Sequence, residues 1–424
     1  MQATAKQTYK VNFKIIDWMR GLAALYVVFN HSRGFLFTTA NEYAAKVEPK
    51  SHWRWYEWLD IMVIQHTNLS VEFVTLFFLL SGFSIAHSLS GEHKVSAFYG
   101  RRLLRLYPPY LLGIAWAFIV FLIIKAVATD VFAKTIEGHL PLDIAFHKFE
   151  SLKVVLFNLF YMPIGNYLTP QYWSLPYEVI FYLTIPWFIR KFRLYEISTV
   201  AIFILGCFLY GALVLDTDDA LTIHIFNHEI LTFYLPQYFI DFNLFFLIGY
   251  LFYKYKDILI EKFRLNKWIS IGLLFVLFEA MVFIKSYKFQ NEPNKITDLV
   301  MVVFTFILIF ASLKYQIRIK LLEWIGTFSY TLYVTHVASI FLVKLILYKL
   351  GFHFYDIYNL YSWYLGVIAA VLFAYILYFA AEYPAVKYLK KLRAKNKERD
   401  AVYSVAAIPV ITELSKQEYK IQED

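Results

Sequence analysis

The chain of 424 residues is 59% hydrophobic and only 17% charged, with a mean hydropathy of +0.51. Soluble proteins carry roughly half apolar and a quarter charged residues, so this balance excludes an ordinary water-soluble chain and points to a bilayer protein. The single cysteine, Cys207, leaves no disulfide framework and no thiolate metal site. The net charge of +9 follows membrane topology better than it follows nucleic-acid binding.

Apolar runs of about 20 residues, the length that crosses a hydrocarbon core of ~30 Å, recur from end to end. They predict ten spans, near 15–37, 70–90, 109–128, 171–189, 196–214, 230–253, 268–284, 298–313, 325–348 and 361–383. The expected fold is an all-α integral membrane protein in which each span closes its own backbone hydrogen bonds. The first run contains Asp17 and Arg20 and is followed by no small-residue cleavage pattern, so it reads as a permanent span rather than a signal peptide. No internal repeat or Gly/Ser-rich linker divides the chain. Residues 1–14 read as an N-terminal segment, 15–390 as one membrane domain, and 391–424 as a charged, disordered tail. Segments on the N-terminal side of the membrane hold 27 Lys and Arg, against 10 on the other side, and the bias survives removal of the tail. Both termini are therefore expected in the cytoplasm, with Lys387–Arg399 near anionic headgroups.

In chain order, the first span reads IIDWMRGLAALYVVFNHSRGFLF. Arg20 and His31 are three helical turns plus about 20° apart, so they share a face and are separated by about 16 Å along the axis. Asp17, one turn before Arg20, is placed to pair with it. Arginine inside a span costs about 2.5–3.5 kcal/mol on insertion scales and usually faces a cavity or a partner. The plainer alternative is that Arg20 snorkels to Asp17 while His31 sits among headgroups.

The second span opens on Glu72, and its Ser81–Gly82 pair lets helices approach closely. The segment FYGRRLLRLYPP follows. Its Arg101, Arg102 and Arg105 are expected on a short amphipathic cytoplasmic helix that Pro108 and Pro109 end. An ordinary positive-inside loop explains them, and so does an anionic ligand gripped by paired guanidinium donors. In QYWSLPYEVIFYL, Ser174 and Glu178 share a face, and Glu178 falls within the bilayer, where a carboxylate needs a partner, a proton or water. Tyr172 and Trp173 fit an interfacial aromatic belt. In IGTFSYTLYVTHVASI, the residues Gly326, Ser329, Tyr333 and His336 form one polar stripe. His336 is open to a structural reading and to a catalytic one.

Taken together, DWMRGLAALYVVFNH, FFLLSGF, FYGRRLLRLYPPY, WSLPYEVIFYL, IGTFSYTLYVTH and the late Glu382–Tyr383–Pro384 resemble the acyltransferase 3 family, in its order, over about residues 13–390. The resemblance implies transfer of an acyl group, commonly acetyl, from cytoplasmic acyl-coenzyme A to hydroxyls of extracytoplasmic glycans such as O-antigen, capsule or another surface polysaccharide. The expected place is the bacterial inner membrane, and no metal is implied. The chain resembles the members without a fused SGNH-type domain. The family's arginine–ten residues–histidine pattern falls on Arg20 and His31, its arginine motif on Arg101, Arg102 and Arg105, and its tryptophan–serine–leucine…glutamate motif on Trp173, Ser174 and Glu178. The implied division of labour has the three arginines holding donor phosphates, Arg20 beside the thioester, His31 as general base or acyl carrier, and Glu178 orienting His31. The competing class is a secondary transporter or exporter of a glycan or small anion, where intramembrane Arg, Glu and His also occur.

Overall fold

The computed structural model describes residues 11–36, 45, 49–90, 95–128, 147–161, 167–187, 197, 200–201, 221–225, 228–233, 242–287, 295–351, 362–392 and 394. The predicted span 196–214 and the tail beyond residue 394 lie almost wholly outside them. The described residues form a helical bundle, accompanied by one small antiparallel hairpin, β1 (Leu221–Ile225) with β2 (His228–Phe233). Five helices are long and apolar enough to cross a membrane, among the described residues: α3 (Ser70–Ser90), α4 (Val95–Val127), α9 (Lys267–Tyr287), α10 (Lys295–Tyr315) and α12 (Ser329–Lys349). A sixth arises if α13 (Ser362–Tyr378) and α14 (Glu382–Leu392), bent by 44° at their junction, make one span.

The first helix, α1 (Phe13–Leu36), is not among these five. It has 24 residues and is about 36 Å long, but Lys14, Asp17, Arg20 and Arg33 make it less apolar. Its surroundings are protein. It packs most extensively on α11 (Lys320–Thr327), and also on α12, α13 and α3. Small residues allow this: a Cβ on Gly21 would lie 1.9 Å from the Leu322 carbonyl oxygen, and one on Gly326 would lie 1.9 Å from that of Asp17. The Trp18 indole donates to the Ile317 carbonyl at 2.9 Å and fixes the same end of the crossing.

The centre of the bundle is α12, almost entirely buried and packed on α13, α4 and α1. At the periphery, α9 turns Trp268, Phe275, Val276 and Phe283 outward, the apolar exterior that a lipid-facing helix requires. Two shorter helices precede α3 and α6, namely α2 (Trp55–Gln65) and α5 (Leu152–Leu159). A 3-10 helix (Pro170–Ser174) leads directly into α6 (Leu175–Trp187). Next come α7 (Asn243–Lys254), which lies against α3, and α8 (Lys256–Lys262).

Three expectations need correction. Pro108 and Pro109 do not end a helix, because α4 runs through both without interruption. A proline inside a helix removes one backbone donor and crowds the preceding turn; neighbouring groups in a membrane bundle can re-satisfy the exposed carbonyls. The carbonyls freed in this way are those of Leu104 and Arg105. The polar stripe beginning at Gly326 is also divided. Phe328 separates α11 from α12, so Gly326 faces Asp17 while Ser329, Tyr333 and His336 stay together on α12. Finally, the predicted span 230–253 starts too early: its first residues belong to β2, and α7 begins at Asn243.

Candidate functional site

A cleft with about 690 Å³ of empty space, part of it open to solvent, runs into the bundle between α1, α3, α4, α6 and α12. Its polar wall is made by Arg20, Arg102, Arg105, Ser81, Ser174 and Glu178. Its apolar wall includes Val74, Phe77, Phe78, Leu106 and Leu175. Three guanidiniums and one carboxylate therefore converge on a largely apolar slot.

Each side chain is held by its own element. Arg20 reaches from α1 to α3, donating from Nη2 to Ser84 Oγ at 3.0 Å. Its hydrogen bond goes to Ser84, while the expected partner Asp17 remains close enough for charge attraction. One turn before Ser84 in sequence, Ser81 Oγ donates to Glu178 Oε1 at 2.9 Å, and the Tyr182 hydroxyl donates to the same oxygen. Glu178 thus binds α3 to α6 while lining the cleft. Arg102 lies between two rings, its guanidinium carbon 5.4 Å from the centroids of both Phe98 and Tyr182, a favourable cation–π geometry. Arg102 and Arg105, three residues apart, line the cleft; Arg101 does not. The arginines that α4 turns inward are therefore the i, i+3 pair Arg102 and Arg105.

On the far wall, Tyr333 Oη is 2.7 Å from Ser174 Oγ and donates to the Gln171 carbonyl at 3.0 Å. A phenol has one hydrogen, so Ser174 is the donor to Tyr333. Phe77 meets the Tyr333 ring edge-on at 5.8 Å. One turn further along α12 comes His336, fully buried, with its ring 5.9 Å from that of Tyr333. His336 Nε2 is 2.7 Å from His31 Nδ1. The two imidazoles are nearly coplanar, at 10°, with centroids 5.0 Å apart, so they meet edge to edge in hydrogen-bond alignment. Arg20 and His31 therefore both face the inside of the bundle, but they engage different partners: Arg20 the cleft and Ser84, His31 the His336 side chain of α12.

The acyltransferase-domain family of type 3 matches residues 13–379. The chain belongs to the acyltransferase 3 family. Comparisons with curated proteins and with solved structures return no match. This acyltransferase is a multi-pass membrane protein, and the match spans every helix that lines the cleft.

Within it, the expected site residues divide into three groups. Arg20, Ser81, Arg102, Arg105, Ser174, Glu178 and Tyr333 share the cleft. His31 and His336 pair just beyond it. The remainder lie elsewhere. Glu72 is buried in an ion pair with Lys285 Nζ at 3.1 Å and also accepts from Thr297 Oγ1 at 2.8 Å, joining α3 to α9 and α10. Trp173 packs on Phe242, and Glu178 is held by Ser81 and Tyr182 rather than by His31. Tyr172 is not an interfacial residue: it is buried and donates to the Val334 carbonyl at 3.1 Å.

Sequence reasoning gave no role to Gln171, and named Glu382 only as part of the late Glu382–Tyr383–Pro384 stretch. Gln171 is fully buried, donates from Nε2 to Val334 O at 3.2 Å, and turns Oε1 into the interior with no hydrogen-bond partner among the described residues. Glu382 Oε2 accepts from the backbone N–H of Thr331 at 3.0 Å and from its hydroxyl at 2.6 Å, at the start of α12. Their sequence signals are a polar residue flanking the Ser174 motif and the carboxylate of that late stretch. No cluster of three or more His, Cys, Asp or Glu side chains suited to a metal ion occurs among the described residues.

Proposed function

We propose that this protein transfers an acyl group, acetyl in the first instance, from cytoplasmic acyl-coenzyme A to a hydroxyl of an extracytoplasmic glycan at the bacterial inner membrane. The carrying observation is the convergence of Arg20, Arg102 and Arg105 with Glu178 in one cleft, a single helical turn along α12 from the His31–His336 pair. Arginine forks suit phosphate oxygens, and the slot beyond them is apolar enough for a pantetheine arm. The positive-inside count puts the arginine end toward the cytoplasm, where acyl-coenzyme A is made.

In this reading Arg102 and Arg105 hold the donor phosphates. Arg20 stabilises the negative charge that develops on the thioester oxygen, as a preorganised donor in a water-poor site does. His31 removes the proton from the acceptor hydroxyl. The hydroxyl oxygen attacks the thioester carbonyl carbon, the carbon–sulfur bond breaks, and the departing thiolate takes the proton back from His31. Glu178 holds Ser81 and Tyr182 in place and balances the charge of the neighbouring guanidiniums.

The test is purified protein in lipid nanodiscs with radiolabelled acetyl-coenzyme A. Slow hydrolysis or label transfer, abolished in His31→Ala and His31→Gln variants of normal abundance, supports the assignment. No turnover of acetyl- or succinyl-coenzyme A by folded protein, or full activity in both variants, overturns it. Mass spectrometry of surface glycans with and without the gene then identifies the acceptor.

A further inference from the structure

The geometry points to His336 as the positioning residue that fixes the tautomer of His31, leaving His31 Nε2 as the atom that accepts the proton. This inference rests on the acyl-transfer reading above.

His336 Nδ1 lies 3.1 Å from the carbonyl oxygen of Leu332, one turn earlier on α12. A carbonyl only accepts, so Nδ1 of His336 carries the hydrogen. A neutral imidazole has one N–H, which makes His336 Nε2 a lone-pair acceptor. Its neighbour at 2.7 Å is His31 Nδ1, which must therefore be the donor. His31 Nδ1 is thereby protonated, and its unprotonated nitrogen is Nε2. The chain runs Leu332 C=O, His336, His31, and ends on a free lone pair.

Coplanarity supports a directed bond rather than a ring stack. At 10° between planes and 5.0 Å between centroids, the donor hydrogen and acceptor lone pair lie in the common plane. His336 is fully buried, and His31 hydrogen-bonds to it from the neighbouring helix. A carboxylate would orient His31 equally well, but an ionised carboxylate at this depth is costly. A neutral imidazole anchored on a backbone carbonyl gives the same orientation without a buried charge. When His31 takes the hydroxyl proton on Nε2, its Nδ1–H still donates to His336, so the imidazolium keeps a hydrogen bond until the thiolate discharges it. His336 neither gains nor loses a proton.

Two variants separate this role from packing. In His336→Gln, the carboxamide oxygen reaches close to the position of Nε2 and still accepts; in His336→Leu, nothing accepts. We expect His336→Leu to lower kcat by about 10²-fold, the lower end of a positioned base's contribution, with the KM for acetyl-coenzyme A unchanged. His336→Gln should recover most of that loss. In protein labelled with [15N]histidine, with the His31 signals identified by their absence in His31→Gln, the wild type should show protonated Nδ1 and unprotonated Nε2. His336→Leu should show a tautomer mixture. Wild-type His31 carrying its hydrogen on Nε2, or an unchanged kcat in His336→Leu, overturns the assignment. The nitrogen spectrum does not depend on turnover, so absence of acyl transfer would remove the enzymatic reading while leaving the tautomer test decisive for the pair.

Discussion

Gly82 of α3 and Gly249 of α7 cross with their backbones in contact: a Cβ on Gly82 would fall 2.1 Å from the Phe246 carbonyl oxygen, and one on Gly249 would fall 1.9 Å from that of Leu79. Both obstructions are backbone atoms, so neither can rotate away. Alanine at either position must push the two helices apart, which costs about 1–3 kcal/mol in a packed core. Gly82→Ala should also displace the adjacent Ser81 from Glu178. Gly82→Ala and Gly249→Ala should lower the thermal midpoint in detergent, and Gly82→Ala should lower activity more than its stability loss explains. Gly272→Ala, where nothing lies within 4 Å of a new Cβ, is the control and should behave as wild type.

The arginines of α4 make a graded prediction. Arg102 and Arg105 line the cleft, whereas Arg101 does not. Arg102→Ala and Arg105→Ala should each raise the KM for acetyl-coenzyme A about tenfold, the equivalent of roughly one charge-assisted hydrogen bond. Arg101→Ala should change it less. With acetylpantetheine, which lacks the adenosine phosphates, the differences among Arg102→Ala, Arg105→Ala and wild type should shrink. Retained discrimination with this truncated donor would place the arginines away from the phosphates.

The contrast between Arg101 and Arg102 illustrates what the sequence makes legible. Hydropathy locates α3, α9, α10 and α12 closely, because lipid imposes length and apolarity on each run independently of its neighbours. Helical periodicity puts Arg20 and His31 on the inward side of α1, and Ser174 and Glu178 on the same cleft. Identity of partners is not periodic. That His31 meets His336 across 305 positions of sequence, or that Arg20 donates to Ser84 of α3, depends on which helices cross and at what height. The Pro108–Pro109 expectation failed for a related reason: the rule describes an isolated helix, whereas α4 is packed within a bundle and runs through both prolines.

Glu72 and Lys285 offer a stability test remote from the cleft. Both are almost fully buried and 3.1 Å apart. Removing one member of a buried ion pair leaves the other charge uncompensated and costs about 3–5 kcal/mol, whereas replacing both with apolar residues is often neutral. Glu72→Leu should therefore sharply reduce the yield of folded protein and its thermal midpoint. The double variant Glu72→Leu/Lys285→Met should recover a large part of both. A double variant as unstable as the single one would show that the pair contributes little and that Glu72 acts through Thr297 instead.

Glu382 has a different kind of leverage, because it acts at the end of the helix that carries both Tyr333 and His336. Its carboxylate accepts from the Thr331 N–H and hydroxyl in the first turn of α12, where free backbone donors and the helix dipole both favour an anion. Loss of such a cap costs about 1–2 kcal/mol. Glu382→Ala should lower the thermal midpoint accordingly. It should also lower kcat, since fraying the first turn loosens Tyr333 within the same turn and a half and shifts His336 against His31. Glu382→Gln keeps an accepting oxygen and should retain more of both, and Thr331→Val, which removes only the hydroxyl donor, should fall between wild type and Glu382→Ala. If the effects of Glu382→Ala and Thr331→Val are simply additive in a double-mutant cycle, the two residues do not act through one another, and the link from this cap to the histidine pair is lost.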